Sequence, residues 1–179
     1  MKSTRAARPD AITLLRADHA EVKQLFAQYE TLAKGSSPSL QRKRALSIRI
    51  CKALIAHTTI EEEIFYPAIG LMLHEDLMFD EAEVEHATAK SLIDEILSME
   101  PDEPKFDAKV IVLGEYIAHH VSEEHKEMFP KARKLKLDFK MLGAMMLVRK
   151  NEIMRSQVSG ARRVSEVTVS TYVPRGAGA

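Results

Sequence analysis

The chain has one cysteine, Cys51, in 179 residues, so no disulfide can form within it and a reducing, cytoplasmic setting is the default expectation. It has no excess of either charge: lysine plus arginine number 26 and aspartate plus glutamate 26. The basic field that draws a protein to nucleic acid or to an anionic membrane is missing, and neither is expected as a partner. The first residues, MKSTRAARPD, lack the apolar stretch of a secretory signal. The longest apolar run near the C-terminus, MLGAMMLV, is far short of the roughly 20 residues that a membrane span needs, so a soluble protein is expected. No window alternates apolar and polar residues between turn signals, which removes the case for a sheet. What is present is a 45% apolar chain of one-domain length, long enough for a sizeable core.

Its apolar residues recur at helical spacing. From Asp10 to Ala33, Ile12, Leu15, Val22, Phe26 and Tyr29 form one stripe, with His19 on it. The break GSSP, Gly35 to Pro38, offers a helix stop and then a proline suited to the next first turn. A second stripe runs Leu46, Ile50, Ala53, Leu54, His57, Glu61, Ile64 and Ala68. A third helix, about Asp80 to Met99, turns His86, Ile93, Ile96 and Leu97 inward and ends before PDEP, Pro101 to Pro104. A fourth, about Asp107 to Leu135, places Val110, Leu113, Ile117, His120 and Glu124 on one face. The expectation is an all-α fold: an antiparallel up-down-up-down four-helix bundle over residues 10–136. An additional C-terminal helix, with Leu142, Met145 and Val148 inward, should occupy 137–156 and end near Arg155. Beyond Ser156 helical periodicity fades, and residues 157–179 read as a loose, flexible tail.

Two segments match. HTTIEEEIFYP, His57 to Pro67, and HVSEEHKEMFP, His120 to Pro130, each carry a histidine, a glutamate four residues on and a proline ten residues on. Residues four apart share a helix face, so each motif presents an imidazole and a carboxylate to one point. At about 1.5 Å of rise per residue, alternating helix directions bring His19, His57, Glu61, His86, His120 and Glu124 to one level of the bundle. Burying these groups without partners would cost several kcal/mol per ionised side chain. Imidazole with carboxylate and no thiolate suits two iron or manganese ions better than a closed zinc site. Ferritin-like di-iron bundles place Glu before His at i, i+3; the reverse order and the spacing of four disfavour that version here.

On these residues, His19 in ADH, His57 and Glu61 in HTTIE, His86 in VEH, and His120 and Glu124 in HVSEE, the chain resembles the bacterial hemerythrin-like proteins of the hemerythrin HHE cation-binding domain family. The resemblance covers about Asp10 to Leu135. It implies a non-haem di-iron centre in which Glu61 and Glu124 bridge two iron ions, with an oxo or hydroxo group as third bridge and manganese as the other candidate metal. His19 and His57 would bind one ion, His86 and His120 the other. Oxygen-carrying hemerythrins have His-x-x-x-His on the third helix, whereas the position four beyond His86 is Lys90. That leaves an open position on each ion, which weakens an oxygen-carrier reading and favours a centre that reacts with a bound ligand. Glu83, one turn before His86, is a candidate to fill the gap. Tyr116, one turn before His120, is a candidate hydrogen-bond donor to the ligands.

The implied function is binding of, or reaction with, a small oxidant such as dioxygen, hydrogen peroxide or nitric oxide, in a role serving oxidative-stress protection. If the protein is an enzyme, it is a catalase-like di-iron oxidoreductase. The alternatives are a non-catalytic oxygen- or iron-responsive sensor and a reversible oxygen store. A protein partner or a homo-oligomer is left open by the sequence, which indicates neither. His119, His125, Glu62, Glu63 and Glu123 turn about 100° or more from the ligand face and read as exposed or supporting residues. His74 reads as a surface residue and Cys51 as a small buried hydrophobe. Met141, Met145 and Met146 mark a candidate contact surface.

Overall fold

A computed structural model of the protein describes residues 9–35 and 39–170, with side chains to residue 157. Residues 36–38 of the GSSP break and residues 171–179 of the expected tail lie outside the described residues. The first helix, α1 (Ala11–Ala33), starts where the Asp10 carboxylate accepts the Thr13 N–H at 2.9 Å, an N-cap that satisfies a donor the helix cannot. The second, α2 (Leu40–Ile60), is capped in the same way by Ser39.

Helix α2 does not stop at Ile60. It passes through one widened π-turn, Glu61–Phe65, into α3 (Tyr66–Leu73). After α4 (Asp76–Ser98), the same construction recurs: α5 (Phe106–Glu123), a second π-turn, Glu124–Met128, and α6 (Phe129–Ala132). Each widened turn begins on the glutamate of a paired motif and closes two residues before its proline. A proline inside a helix removes one donor, and its ring collides with the carbonyl four residues back. One widened turn just upstream lets Pro67 and Pro130 be carried within a continuous helical rod. The second expected helix therefore extends past Ala68 to Leu73, and His74, in the left-handed region at φ 53°, ends it. The third begins at Asp76, earlier than the expected Asp80. Arg44 on α2 donates to the carbonyls of Ile96, Leu97 and Met99, satisfying the end of α4 before the PDEP break.

The packed pairs are α1 with α2, α2 with α4, α4 with α5 and α5 with α1, the ring of an antiparallel four-helix bundle. The last helix, α7 (Phe139–Ser170), lies against α1, α2 and the first π-turn. Gly143 permits this approach, since a Cβ there would stand 2.5 Å from the Pro9 carbonyl oxygen and 2.7 Å from the Ala11 nitrogen. Two sequence expectations change. The inward stripe of α7 is Leu142, Met146 and Ile153, whereas Met145 and Val148 are exposed; of the three methionines proposed as a surface, Met146 is core. Helical backbone also continues past Arg155 to Ser170, so residues 157–170 of the expected tail are helical. A helix closes its hydrogen bonds within itself, and loss of an apolar stripe does not by itself end one.

The core divides into two. One cluster gathers Ile12, Leu15, Phe65, Ile69, Phe129 and Met146 around the π-turns. The other gathers Val22, Tyr29, Ile50, Leu54, Ile93, Phe106 and Leu113 toward the opposite end. The polar layer lies between them, because His19 sits between Leu15 and Val22 on α1 and His57 follows Leu54 on α2. No helix among the described residues is long and apolar enough to cross a membrane.

Candidate metal centre

All six expected residues meet in this layer, and each is at most 6% exposed. His19 comes from α1, His57 from the end of α2, Glu61 and Glu124 from the first residue of each π-turn, His86 from α4 and His120 from α5. The histidines form two pairs through their Nε2 atoms, His19 with His57 at 2.9 Å and His86 with His120 at 3.1 Å. Each carboxylate reaches one member of each pair. Glu61 Oε2 is 3.2 Å from His57 Nε2 and 3.5 Å from His86 Nε2; Glu124 Oε2 is 3.2 Å from His19 Nε2 and 3.7 Å from His120 Nε2.

The outer nitrogens of three of these rings have a hydrogen-bonding partner, and that of the fourth, His57, faces a carboxylate beyond hydrogen-bond distance. His86 Nδ1 is 2.9 Å from Glu62 Oε1 and His120 Nδ1 is 2.7 Å from Glu85 Oε2. His19 Nδ1 is 2.9 Å from His125 Nε2, and His57 Nδ1 is 3.6 Å from Asp18 Oδ2. An ionised carboxylate only accepts, so Nδ1 carries the proton in His86 and His120 and the Nε2 lone pair turns inward. Metal-binding histidines are commonly fixed this way. Asp18 is itself held by Lys150 of α7 at 2.6 Å.

The centre contains more acceptor atoms than donors. Both oxygens of Glu61 and Oε2 of Glu124 are buried without a hydrogen-bond donor. Burial, with the facing Glu124 carboxylate, pushes Glu61 well above the usual carboxylate range. Burial also opposes ionisation of Glu124, but the His19, His120 and His57 rings outweigh it and hold this acid down to about 2. Burial and the neighbouring His120 lower His86 to about 4, against the pull of Glu62. His120 is raised, because Glu85 and Glu124 outweigh its burial. Orphaned carboxylate oxygens facing paired imidazole nitrogens are a donor set that suits hard to borderline cations such as iron or manganese. Within the buried layer, two groups have ligand atoms lying within 4.8 Å of one another: His19, His57, Glu61 and Glu124; and Glu61, His86 and His120. Cys51 takes no part; it is buried in the far cluster, where burial pushes its thiol up to about 12.

Two sequence candidates fall outside the centre. Glu83 is exposed, and the acid that α4 contributes is Glu85, on His120. Tyr116 is 40% exposed; the tyrosine at the centre is Tyr66, whose hydroxyl donates to Glu124 Oε1 at 3.1 Å and stands 3.5 Å from His120 Nε2. Five residues separate Glu61 from Tyr66, which an ordinary helix would turn about 140° apart; the π-turn brings them to one side. Lys90 is no ligand either, since it donates to Glu62. Glu62 and His125 prove to be supporting residues, Glu63 and Glu123 are exposed, and His74 is on the surface as expected.

Residues 10–132 match the family described as Hemerythrin HHE cation binding domain. A DNA nickase from Nostoc sp. is 30% identical over 122 residues, covering 67% of this chain; the match spans 32% of that protein's length. The crystal structure of a hemerythrin HHE cation binding domain-containing protein from Mycobacterium kansasii superposes with a TM-score of 0.72 at 21% identity, over 86% of this chain and 93% of that one.

Proposed function

The chain belongs to the hemerythrin HHE cation-binding domain family, and from that premise we propose that its centre holds two iron ions and reacts with a small oxidant, hydrogen peroxide first among them. One observation carries the reading: two imidazole pairs, each within reach of the same two carboxylates, three of whose oxygens have no hydrogen-bond donor. In this reading His19 and His57 would hold one ion and His86 and His120 the other, with Glu61 and Glu124, each of which reaches a ring of both pairs, available to both ions. Iron, when bound, supplies the redox equivalents and an exchangeable position for the oxidant.

The chain's own residues supply the rest. Glu62, Glu85 and His125 fix three of the rings so that their Nε2 atoms stay aimed inward, and Asp18 lies 3.6 Å from the outer nitrogen of His57. The two apolar clusters keep bulk water from both faces of the layer. Tyr66 keeps its proton, because burial and the carboxylates of Glu61 and Glu124 raise its hydroxyl well above the usual range. It is therefore a donor at the centre, oriented by Glu124 Oε1 and available to an oxygen atom that arrives there. Lys90, engaged with Glu62, adds no ligand, which sets the oxygen-store reading behind the reactive one.

The deciding experiment measures iron per chain, then records the visible spectrum of the anaerobic ferrous protein before and after peroxide. Two irons, a new oxo-bridge or charge-transfer band and consumed peroxide support the proposal. No stoichiometric metal after reconstitution would leave only a polar core network. A second reading, an oxygen- or iron-responsive sensor, is favoured by α7. Its Lys150 holds Asp18 behind His57, and its Arg149 binds Glu63 in the first π-turn at 2.6 and 2.8 Å. Hydrogen exchange in α7 that changes with metal, without peroxide turnover, would select it.

A further inference from the structure

A cavity of about 420 Å³ opens between α4 and the rod of α5 and its π-turn, and it reaches the centre: His120 and Glu124 are among its lining residues. Its walls carry Asp76, Glu81, Glu85, Glu123 and Glu127. Among the lining residues the only lysine or arginine is Lys131, and it is paired with Glu75. At the inner end stands Glu124, 2% exposed, whose Oε2 has no hydrogen-bond donor. Beside the cavity, Glu85, His119 and Glu123 bring ligand atoms within 4.8 Å of one another. His119 Nε2 is 3.3 Å from Glu123 Oε1 and 3.9 Å from Glu85 Oε1, while the other oxygen of Glu85 lies on His120 Nδ1. Glu85 therefore joins a solvent-facing cluster to a residue of the buried layer.

The geometry points to a cation inlet: the acidic cavity draws divalent metal from solvent, Glu85, His119 and Glu123 capture it at the mouth, and Glu124 receives it at the inner end. This rests on the reading of the centre as a metal site. A charged cleft with low-dielectric walls concentrates counter-ions and raises their association rate by about 10- to 1000-fold. The centre itself sits behind apolar side chains on both faces of its layer, where a hydrated dication gains no such help. The same field disfavours anions, so the oxidants admitted along this route are neutral ones.

The test is the rate of metal uptake by metal-free protein, followed by stopped-flow absorbance with cobalt(II) as the optical probe and by anaerobic ferrous iron with bound metal quantified. In the triple variant Glu81→Gln, Glu123→Gln, Glu127→Gln, whose positions lie outside the buried layer, uptake should slow about tenfold at low salt with the final metal content unchanged. The difference should vanish near 1 M salt, where the screening length is about 3 Å. A control triple, Glu21→Gln, Asp94→Asn, Glu115→Gln, removes the same charge away from the cavity and should load as the unmodified chain does. Equal rates in both triples at full metal content would overturn the inlet and leave the centre standing. A chain that takes up no metal would overturn both.

Discussion

Lys90 donates to both carboxylate oxygens of Glu62, at 2.7 and 2.6 Å, and Glu62 Oε1 faces His86 Nδ1 at 2.9 Å. The residue standing where an oxygen carrier has another histidine therefore anchors the acid that orients His86. Outer partners of metal-binding histidines are commonly worth 10- to 100-fold in affinity. Lys90→Met is expected to weaken metal binding about tenfold, and Glu62→Ala more strongly, in competition with a chelator. Unchanged affinity in both variants would mean that His86 is positioned by packing alone.

Glu61 is wholly buried, with neither oxygen hydrogen-bonded. Without metal it faces Glu124 in a water-poor layer, which opposes folding. Glu61→Gln should therefore raise the metal-free protein's stability by about 1–3 kcal/mol, seen as a higher midpoint in chemical denaturation. The same variant should lose the stabilisation that added metal gives the unmodified chain. A metal-free variant less stable than its parent would contradict this account of the orphaned oxygens.

The bundle and the six buried residues were legible because both rest on periodicity: apolar stripes fix the helices, and polar residues on those stripes fix the layer. Tyr66 was not legible, because its position depends on a π-turn that breaks the 3.6-residue period, and Tyr116, chosen on that period, is exposed. The signal available was the proline of each motif, which an uninterrupted α-helix does not carry at its centre. Glu85 and Glu62 were missed or undervalued for another reason. They flank the ligand face and meet rings from a neighbouring helix, so their roles depend on packing between helices. Glu83, on the better-looking side of α4, reaches nothing in the layer.

Arg133 clamps Asp10 with three contacts of 2.9–3.1 Å while Asp10 caps α1. Burial works to raise this acid, but Arg133 and Thr13 outweigh it and lower it below its ordinary 3.8. A depressed folded-state value means that the stabilisation is fully present above the unfolded value and disappears as pH falls through the folded one. Asp10→Ala should cost about 1 kcal/mol near neutral pH, with the gap between variant and parent closing below about pH 3.8. Denaturation midpoints across pH 2–7 check this, and a gap that persists at the acid end would rule out the charged cap as its source.

Tyr66 is the only hydroxyl donor at the centre among the described residues, 3.1 Å from Glu124 Oε1 and 3.5 Å from His120 Nε2. Tyr66→Phe keeps the ring, which stacks against His86 with centroids 5.6 Å apart, and removes only the donor. None of the six residues is altered, so metal content should be unchanged. If Tyr66 hands its proton, or a hydrogen bond, to the arriving oxidant, peroxide consumption should fall by about 100-fold, the lower range for a positioned acid. A structural role alone predicts a different pattern, in which stability falls and turnover per iron stays constant. Measuring iron content, melting point and peroxide consumption on one preparation separates the two, and turnover per iron equal to that of the parent would remove Tyr66 from the reaction.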